Sequence, residues 1–203
     1  MQIQMFTVTP FYENCYVLTH GGETMVIDPG EAAPELKAAI AGQNVTMIFN
    51  THCHCDHSGG NAELMKLTGA PLVAHEADLP LLRSISQQGM LFGVPVPASP
   101  DPDRFINEGD TVELGGAQLK VFHTPGHAPG HVVLVGHGFV IAGDTLFAAS
   151  IGRTDLPGGN YNQLIRAIKE KLLVLPDDTV VYSGHGPATT IGEERRTNPF
   201  LAD

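Results

Sequence analysis

Apolar positions in the first third of the chain fall into short runs separated by turn residues. Ile3, Met5 and Thr7 alternate with Gln2, Gln4 and Phe6, and Asn14–Thr19 and Thr24–Asp28 follow. Pro10, Gly21-Gly22 and Asp28-Pro29-Gly30 bound these runs, so each predicts a strand. Leu36 and Ile40, four apart, predict a helix over Ala33–Ala41. Val45–Asn50 reads as a buried strand, Asn61–Thr68 as a helix closed by Gly69, and Pro71–Ala74 as a strand. Four prolines and two glycines make Ser86–Asp103 a long crossover loop. Thr111–Leu114, Ala117–His123, Val132–Val135 and Phe139–Ala142 then read as strands. Tyr161–Leu173 is the strongest helix, with Leu164, Ile165, Ile168 and Leu172 on one face, and Thr179–Tyr182 is a last strand before Ser183-Gly184-His185. Strands in a block, a crossover and strands again predict two layered sheets with helices outside. The strand ends should gather at one edge.

The chain's 203 residues suit one sizeable core, so 1–203 is expected to be a single domain. The net charge of −11 and the absence of a Lys/Arg cluster argue against a nucleic-acid surface and against nuclease activity. No stretch approaches the ~20 apolar residues of a membrane span. Met1–Thr9 alternates rather than forming the apolar block of a secretory signal. Cys15, Cys53 and Cys55 show no disulfide spacing. Cytoplasmic localisation is the expectation, and export for β-lactam hydrolysis is not.

One cluster of residues changes the picture. His52, His54, Asp56 and His57 lie between a predicted strand and a predicted helix. In an extended loop alternate side chains share a direction, so His52, His54 and Asp56 can converge on one point. Imidazole and carboxylate are ligands for zinc, iron and manganese. Four ligands on one loop rarely complete one open catalytic site, and could divide between two ions. Three further strand ends offer a ligand beside glycine: Thr124-Pro-Gly-His127, Ala142-Gly-Asp144 and Ser183-Gly-His185.

The run Thr51-His-Cys-His-Cys-Asp-His57, with His127, Asp144 and His185 in that order, resembles the metallo-β-lactamase superfamily over nearly the whole chain. Gly152-Arg-Thr-Asp155 and Glu194–Phe200 resemble short glyoxalase II-like proteins, the short hydroxyacylglutathione hydrolase form. The resemblance implies a four-layer αββα sandwich and two divalent transition metals, zinc first, with iron or manganese as alternatives. His52, His54 and His127 would hold one ion, Asp56, His57 and His185 the other, and Asp144 would bridge them. It implies a metal-bridging hydroxide cleaving a small acyl thioester, S-lactoylglutathione-like, with Asp56 orienting the nucleophile's proton. A thiolate leaving group has an unperturbed pKa of about 8.5 and needs no strong general acid. The chain to Asp203 shows no counterpart of the helical extension that supplies glutathione contacts in longer members, and Gly186-Pro187 stands where those offer a tyrosine.

Arg153 is the substrate-anchor candidate, with a surface salt bridge as the alternative. Cys53 and Cys55 alternate with the ligands and should pack behind the loop. Asp28 is read either as orienting the metal loop or as a turn cap. His131, His75 and His123 are candidates for supporting the ligands, and Asn160 and Tyr161 for capping and packing. A mono-iron persulfide dioxygenase of the same fold, on two His and one Asp, is the competing enzyme reading. A closed metal-binding scaffold is the non-enzymatic one. The partner expected is a small-molecule thioester, with the protein a monomer or homodimer and neither nucleic acid nor membrane involved.

Overall fold

The computed structural model describes residues 1–202. Its first half contains strands β1 (Gln2–Val8), β2 (Glu13–His20) and β3 (Glu23–Ile27), helix α1 (Pro34–Ile40), strand β4 (Val45–Phe49), helices α2 (Cys55–Ser58) and α3 (Asn61–Thr68), and strand β5 (Leu72–Ala74). A 3-10 turn at Glu76–Asp78, helices α4 (Leu79–Leu82) and α5 (Ile85–Leu91) and strand β6 (Arg104–Phe105) complete it. These strands form one sheet in the order β1-β2-β3-β4-β5-β6, antiparallel through β3 and parallel from there on.

The second half holds β7 (Thr111–Leu114), β8 (Ala117–His123), β9 (Val132–Gly136), β10 (Phe139–Gly143), a hairpin of β11 (Leu146–Phe147) and β12 (Ser150–Ile151), and α6 (Tyr161–Ala167). Strands β13 (Val180–Ser183) and β14 (Thr189–Thr190) and helix α7 (Ile191–Thr197) follow. The second sheet runs β14-β13-β10-β9-β8-β7, with β10 and β13 its parallel pair.

Three apolar layers hold the four structural layers together. On β2 the side-chain alternation sends Cys15 and Val17 toward the outer helices, and Tyr16 and Leu18 toward the other sheet. The same split puts Val26 and Ile48 with Leu36 and Leu64, while Met25, Ile27 and Phe49 meet Val121, Leu134 and Ile141 from the second sheet. Val133, Val140 and Val181 face Leu164, Ile168 and Leu172 on the far side. Strands covered on both faces need apolar residues at successive positions, which is why these segments read as runs. The αββα sandwich follows.

Three stretches depart from the sequence pattern. Ser86–Asp103 is not one loop, because α5 occupies Ile85–Leu91. All four prolines lie from Pro95 onward, so nothing before them forbids helix. The helix predicted over Tyr161–Leu173 keeps its buried stripe but changes winding, passing from α to a π turn at Ile168–Leu172. The ending forms α7, whose buried Glu194 accepts hydrogen bonds from Ala149 N, Thr189 Oγ1 and Asn198 Nδ2. Among the described residues no helix is long and apolar enough to cross a membrane.

The layers differ sharply from the surface in what truncation costs. Phe49→Ala, emptying space between the sheets, should lower unfolding free energy by about 3–5 kcal/mol. Leu67→Ala, on a residue 57% exposed, should stay within about 0.5 kcal/mol of the parent. Urea denaturation of both variants checks the contrast.

Candidate metal centre

The strand ends bring the predicted ligands to one edge of the sandwich. β4 leads into the loop of His52 and His54, and α2 turns Asp56 and His57 inward. β8 leads to the loop of His127, while Asp144 follows β10 and His185 follows β13. His52, His54 and His127 each place one nitrogen within 4.8 Å of the others, and Asp56, His57 and His185 do the same with their ligand atoms. In the first group His54 Nδ1 and His127 Nε2 stand 2.9 Å apart, and His127 Nε2 and His52 Nε2 3.2 Å. In the second, Asp56 Oδ2 lies 3.3 Å from His185 Nε2 and 3.9 Å from His57 Nε2. Asp144 stands between them, with Oδ2 3.4 Å from His127 Nε2 and 3.6 Å from His185 Nε2, and Oδ1 3.4 Å from His57 Nε2.

These donors fit metal ions. A tetrahedral site with bonds of ~2.0–2.1 Å to nitrogen has ligand–ligand edges of about 3.3–3.4 Å. Among the described residues His57 Nε2 and Asp144 Oδ1 are buried without a hydrogen-bond partner, a costly state that a bound cation relieves. Glycine makes room: a Cβ on Gly184 would strike Asp144 Oδ1, and one on Gly30 the Asp56 carbonyl oxygen.

Four of the five imidazoles are held by their other nitrogen. His127 Nδ1 donates to Arg153 O at 2.7 Å and His185 Nδ1 to Phe11 O at 3.2 Å. His57 Nδ1 donates to Asp28 Oδ2 at 3.2 Å. Thr51 Oγ1 donates to the same carboxylate oxygen at 2.6 Å and sits 3.2 Å from His52 Nδ1, from which it can accept. Asp28 Oδ1 accepts Thr51 N–H at 2.7 Å. These bonds fix the tautomers that leave the inward nitrogens bare. Asp28 also groups with His52 and His57 as ligand-type residues. Its hydrogen bonds mark it instead as the support behind both rings, settling the sequence alternatives in favour of orientation. Asp28 holds φ 51°, a left-handed conformation that Asp adopts more readily than most residues.

Burial, then neighbouring imidazoles, holds His52 well below the ordinary histidine pKa and lowers His54 to about 3. Burial also lowers His127, against the pull of Asp144. Neutral rings are the form that binds metal. Burial opposes ionisation of Asp144 and Asp56, yet the His57 imidazole beside them holds both below the usual carboxylate range.

Several supporting residues were not visible in the sequence pattern. Glu13 is fully buried beside His57, its Oε1 3.6 Å from Nδ1, and burial pushes its carboxyl up. Asn14 Nδ2 and Tyr16 Oη both donate to Ser183 O, and Asn14 Nδ2 also to Gly186 O, fastening the His185 loop to β2. Asp78 accepts Cys53 N–H at 3.0 Å and Gly130 N–H, joining the loop of His52 and His54 to that of His127. Burial raises its carboxyl to about 6, against those two donors. A polar residue in a short turn carries no periodic signal, so Asp78 could not be found without the fold.

His131 stays outside the ligand groups. Its Nε2 accepts Asp144 N–H at 2.9 Å, and its Nδ1 faces the Thr124 and Thr145 hydroxyls, each at 3.1 Å. His75 and His123 stack on each other with centroids 4.4 Å apart; His123 Nε2 braces the His127 loop by donating to Pro129 O at 2.8 Å, while His75 Nδ1 accepts Ala77 N–H. Cys53 and Cys55 pack in the helix-side core, where burial raises both thiols, Cys55 to about 11. Asn160 caps α6 by accepting Gln163 N–H, while Tyr161 is exposed. Arg153 lines the cavity above the ligands, but its guanidinium pairs with Asp155, with contacts of 2.7 Å from both Nε and Nη2.

The sequence comparisons agree with this geometry. A family model described as the metallo-beta-lactamase superfamily matches residues 8–185. The chain is 39% identical over 208 residues to a Haemophilus influenzae protein named hydroxyacylglutathione hydrolase GloC, covering 99% of this chain and 98% of that one. Two solved structures are similar throughout. One is described as the BLEG-1 B3 metallo-beta-lactamase (TM-score 0.93, 34% identity, all of both chains). The other is TTHA1623 in a di-iron-bound form (TM-score 0.90, 40% identity, 98% of this chain and 100% of that one).

Asp78→Ala should release the two loops from each other and weaken metal binding by about 10–100-fold. Chelator-competition titration of the purified variant measures that change. Binding as tight as in the parent would reduce Asp78 to a core residue.

Proposed function

The chain belongs to the metallo-beta-lactamase superfamily, and on that footing we propose that it is a binuclear metal-dependent hydrolase of small acyl thioesters. The carrying observation is the convergence of two ligand groups about Asp144 on the floor of one open cavity. Asp56 and His185 are partly exposed to that cavity, so the group is open to a substrate as a catalytic site requires and a closed structural site is not. The name of the Haemophilus relative supports a hydroxyacylglutathione-type substrate, S-lactoylglutathione-like, and glyoxalase II-type chemistry.

His52, His54 and His127 would hold one ion, Asp56, His57 and His185 the second, and Asp144 both. Zinc suits these donors; the di-iron relative makes iron a candidate of equal chemical fit. Divalent ions there would polarise a carbonyl and lower the pKa of water. The side chains of Asp56 and His185 are 17% and 27% exposed, whereas His57 is buried, so substrate approaches from the Asp56–His185 side. The Asp56 carboxylate faces that opening and can orient a water proton. Hydrolysis adds water across the C–S bond, releasing a carboxylic acid and a thiol, and the thiol leaves without a strong acid.

The complete Asp56–His57–His185 group bears on the competing persulfide dioxygenase reading, which needs one iron on two His and one Asp. Metal analysis separates the two. Two ions per chain with thioester turnover supports hydrolysis, whereas one iron with O₂ uptake supports the dioxygenase.

Removing metal with a chelator should abolish thioester turnover, and zinc or iron should restore it. Asp56→Ala and His127→Ala should each lower kcat by at least about 10²-fold with the fold retained by circular dichroism. Full activity in either variant sinks the proposed site. A β-lactam belongs in the same assay because of the likeness to a B3 metallo-beta-lactamase; turnover of that compound alone would replace the thioester reading.

A further inference from the structure

The cavity above the ligands has a volume of about 530 Å³. His54, Asp56, His127, Asp144 and His185 form its floor, and its walls are of another character. Phe11, Leu81, Leu91, Phe92, Phe147 and Leu156 line it. Phe11 and Phe92 meet edge to face with centroids 5.7 Å apart. Leu91 is 85% exposed and Phe92 48% exposed, so α5 and the residue after it hold large apolar side chains in water at the mouth. Clustered exposure of this kind marks a surface that meets an apolar group, and continuity with the floor makes that group part of the substrate.

Charge points the same way. Among the described residues lining the cavity Arg153 is the one Lys or Arg, and Asp155 already occupies its guanidinium fork. A substrate carboxylate reaching Arg153 must displace Asp155, its bidentate partner two residues along the same loop.

We infer that this enzyme selects thioesters whose substituent beyond the reacting carbonyl is apolar and uncharged, in preference to esters of an anionic thiol such as glutathione. The inference rests on the thioesterase reading but departs from the S-lactoylglutathione-like substrate that the Haemophilus relative's name suggests. The apolar group can belong to the acyl or to the thiol side, since both flank the same carbonyl.

Four thioesters test it with the metal-loaded protein: S-lactoylglutathione, the lactoyl thioesters of N-acetylcysteamine and of benzyl mercaptan, and the phenylacetyl thioester of N-acetylcysteamine. At least one benzyl-bearing compound should exceed S-lactoylglutathione by about tenfold or more in kcat/KM, mainly through KM. Which one does so reports the side that meets the wall. Phe92→Ala should narrow that ratio, and Asp155→Asn, freeing Arg153, should lower KM for S-lactoylglutathione. A glutathione ester preferred by the parent protein, or a ratio untouched by Phe92→Ala, overturns this inference and leaves the thioesterase reading standing. Failure to cleave any of the four overturns both.

Discussion

Packing five imidazoles and two carboxylates with their ligand atoms about 3 to 4 Å apart is the constraint that organises this molecule. His54 Nδ1 and His52 Nε2 both point at His127 Nε2, and Asp144 Oδ1 and His57 Nε2 lie buried without hydrogen bonds. Such an arrangement is tolerable when cations enter it and when each ring is prevented from turning away. For four of the five rings the second condition is met within the protein. Thr51, Asp28, Phe11 and Arg153 supply partners to the outward nitrogens, and three of these contacts come from loops that carry no ligand or from main-chain carbonyl groups.

The sandwich meets the positional demand. Both sheets place strand ends at the same edge, so short loops suffice to bring distant residues together. Asn14 and Tyr16 on one sheet grip the Ser183 carbonyl on the other, and Asp78 ties two ligand loops by their backbones. Residues that touch no ligand thereby set where the ligands sit. The cavity walls come from α5, from the segment after Asp144, and from Phe11 and Leu81, and the Phe11 and Arg153 carbonyls also support rings of the floor.

Much of this was legible in the sequence because two signals are local. Strands covered on both faces show up as apolar runs, and Met47–Phe49 or Val132–Leu134 cannot be mistaken for surface. The spacing of His52, His54, Asp56 and His57 is equally local, and the apolar runs ahead of His127, Asp144 and His185 placed each at a strand end. Whatever depends on tertiary approach was hidden. Glu13 and Asn14 look like an ordinary polar start to a strand, and only the docking of β13 gives them their roles. The α5 helix was obscured because the prolines that follow it dominated the composition of the whole stretch. Its apolar side chains, read as part of a loop, gave no hint that they border the cavity.

One property of the ligand set reaches beyond catalysis. His52 follows a strand of one sheet and His185 a strand of the other, so ions held as proposed about Asp144 would act as a clasp across the two halves of the chain. A polypeptide emerging from synthesis cannot close that clasp until its last long strand has been made. Maturation would thereby be tied to ion supply, because chelation would contribute to holding the sheets together as well as to chemistry.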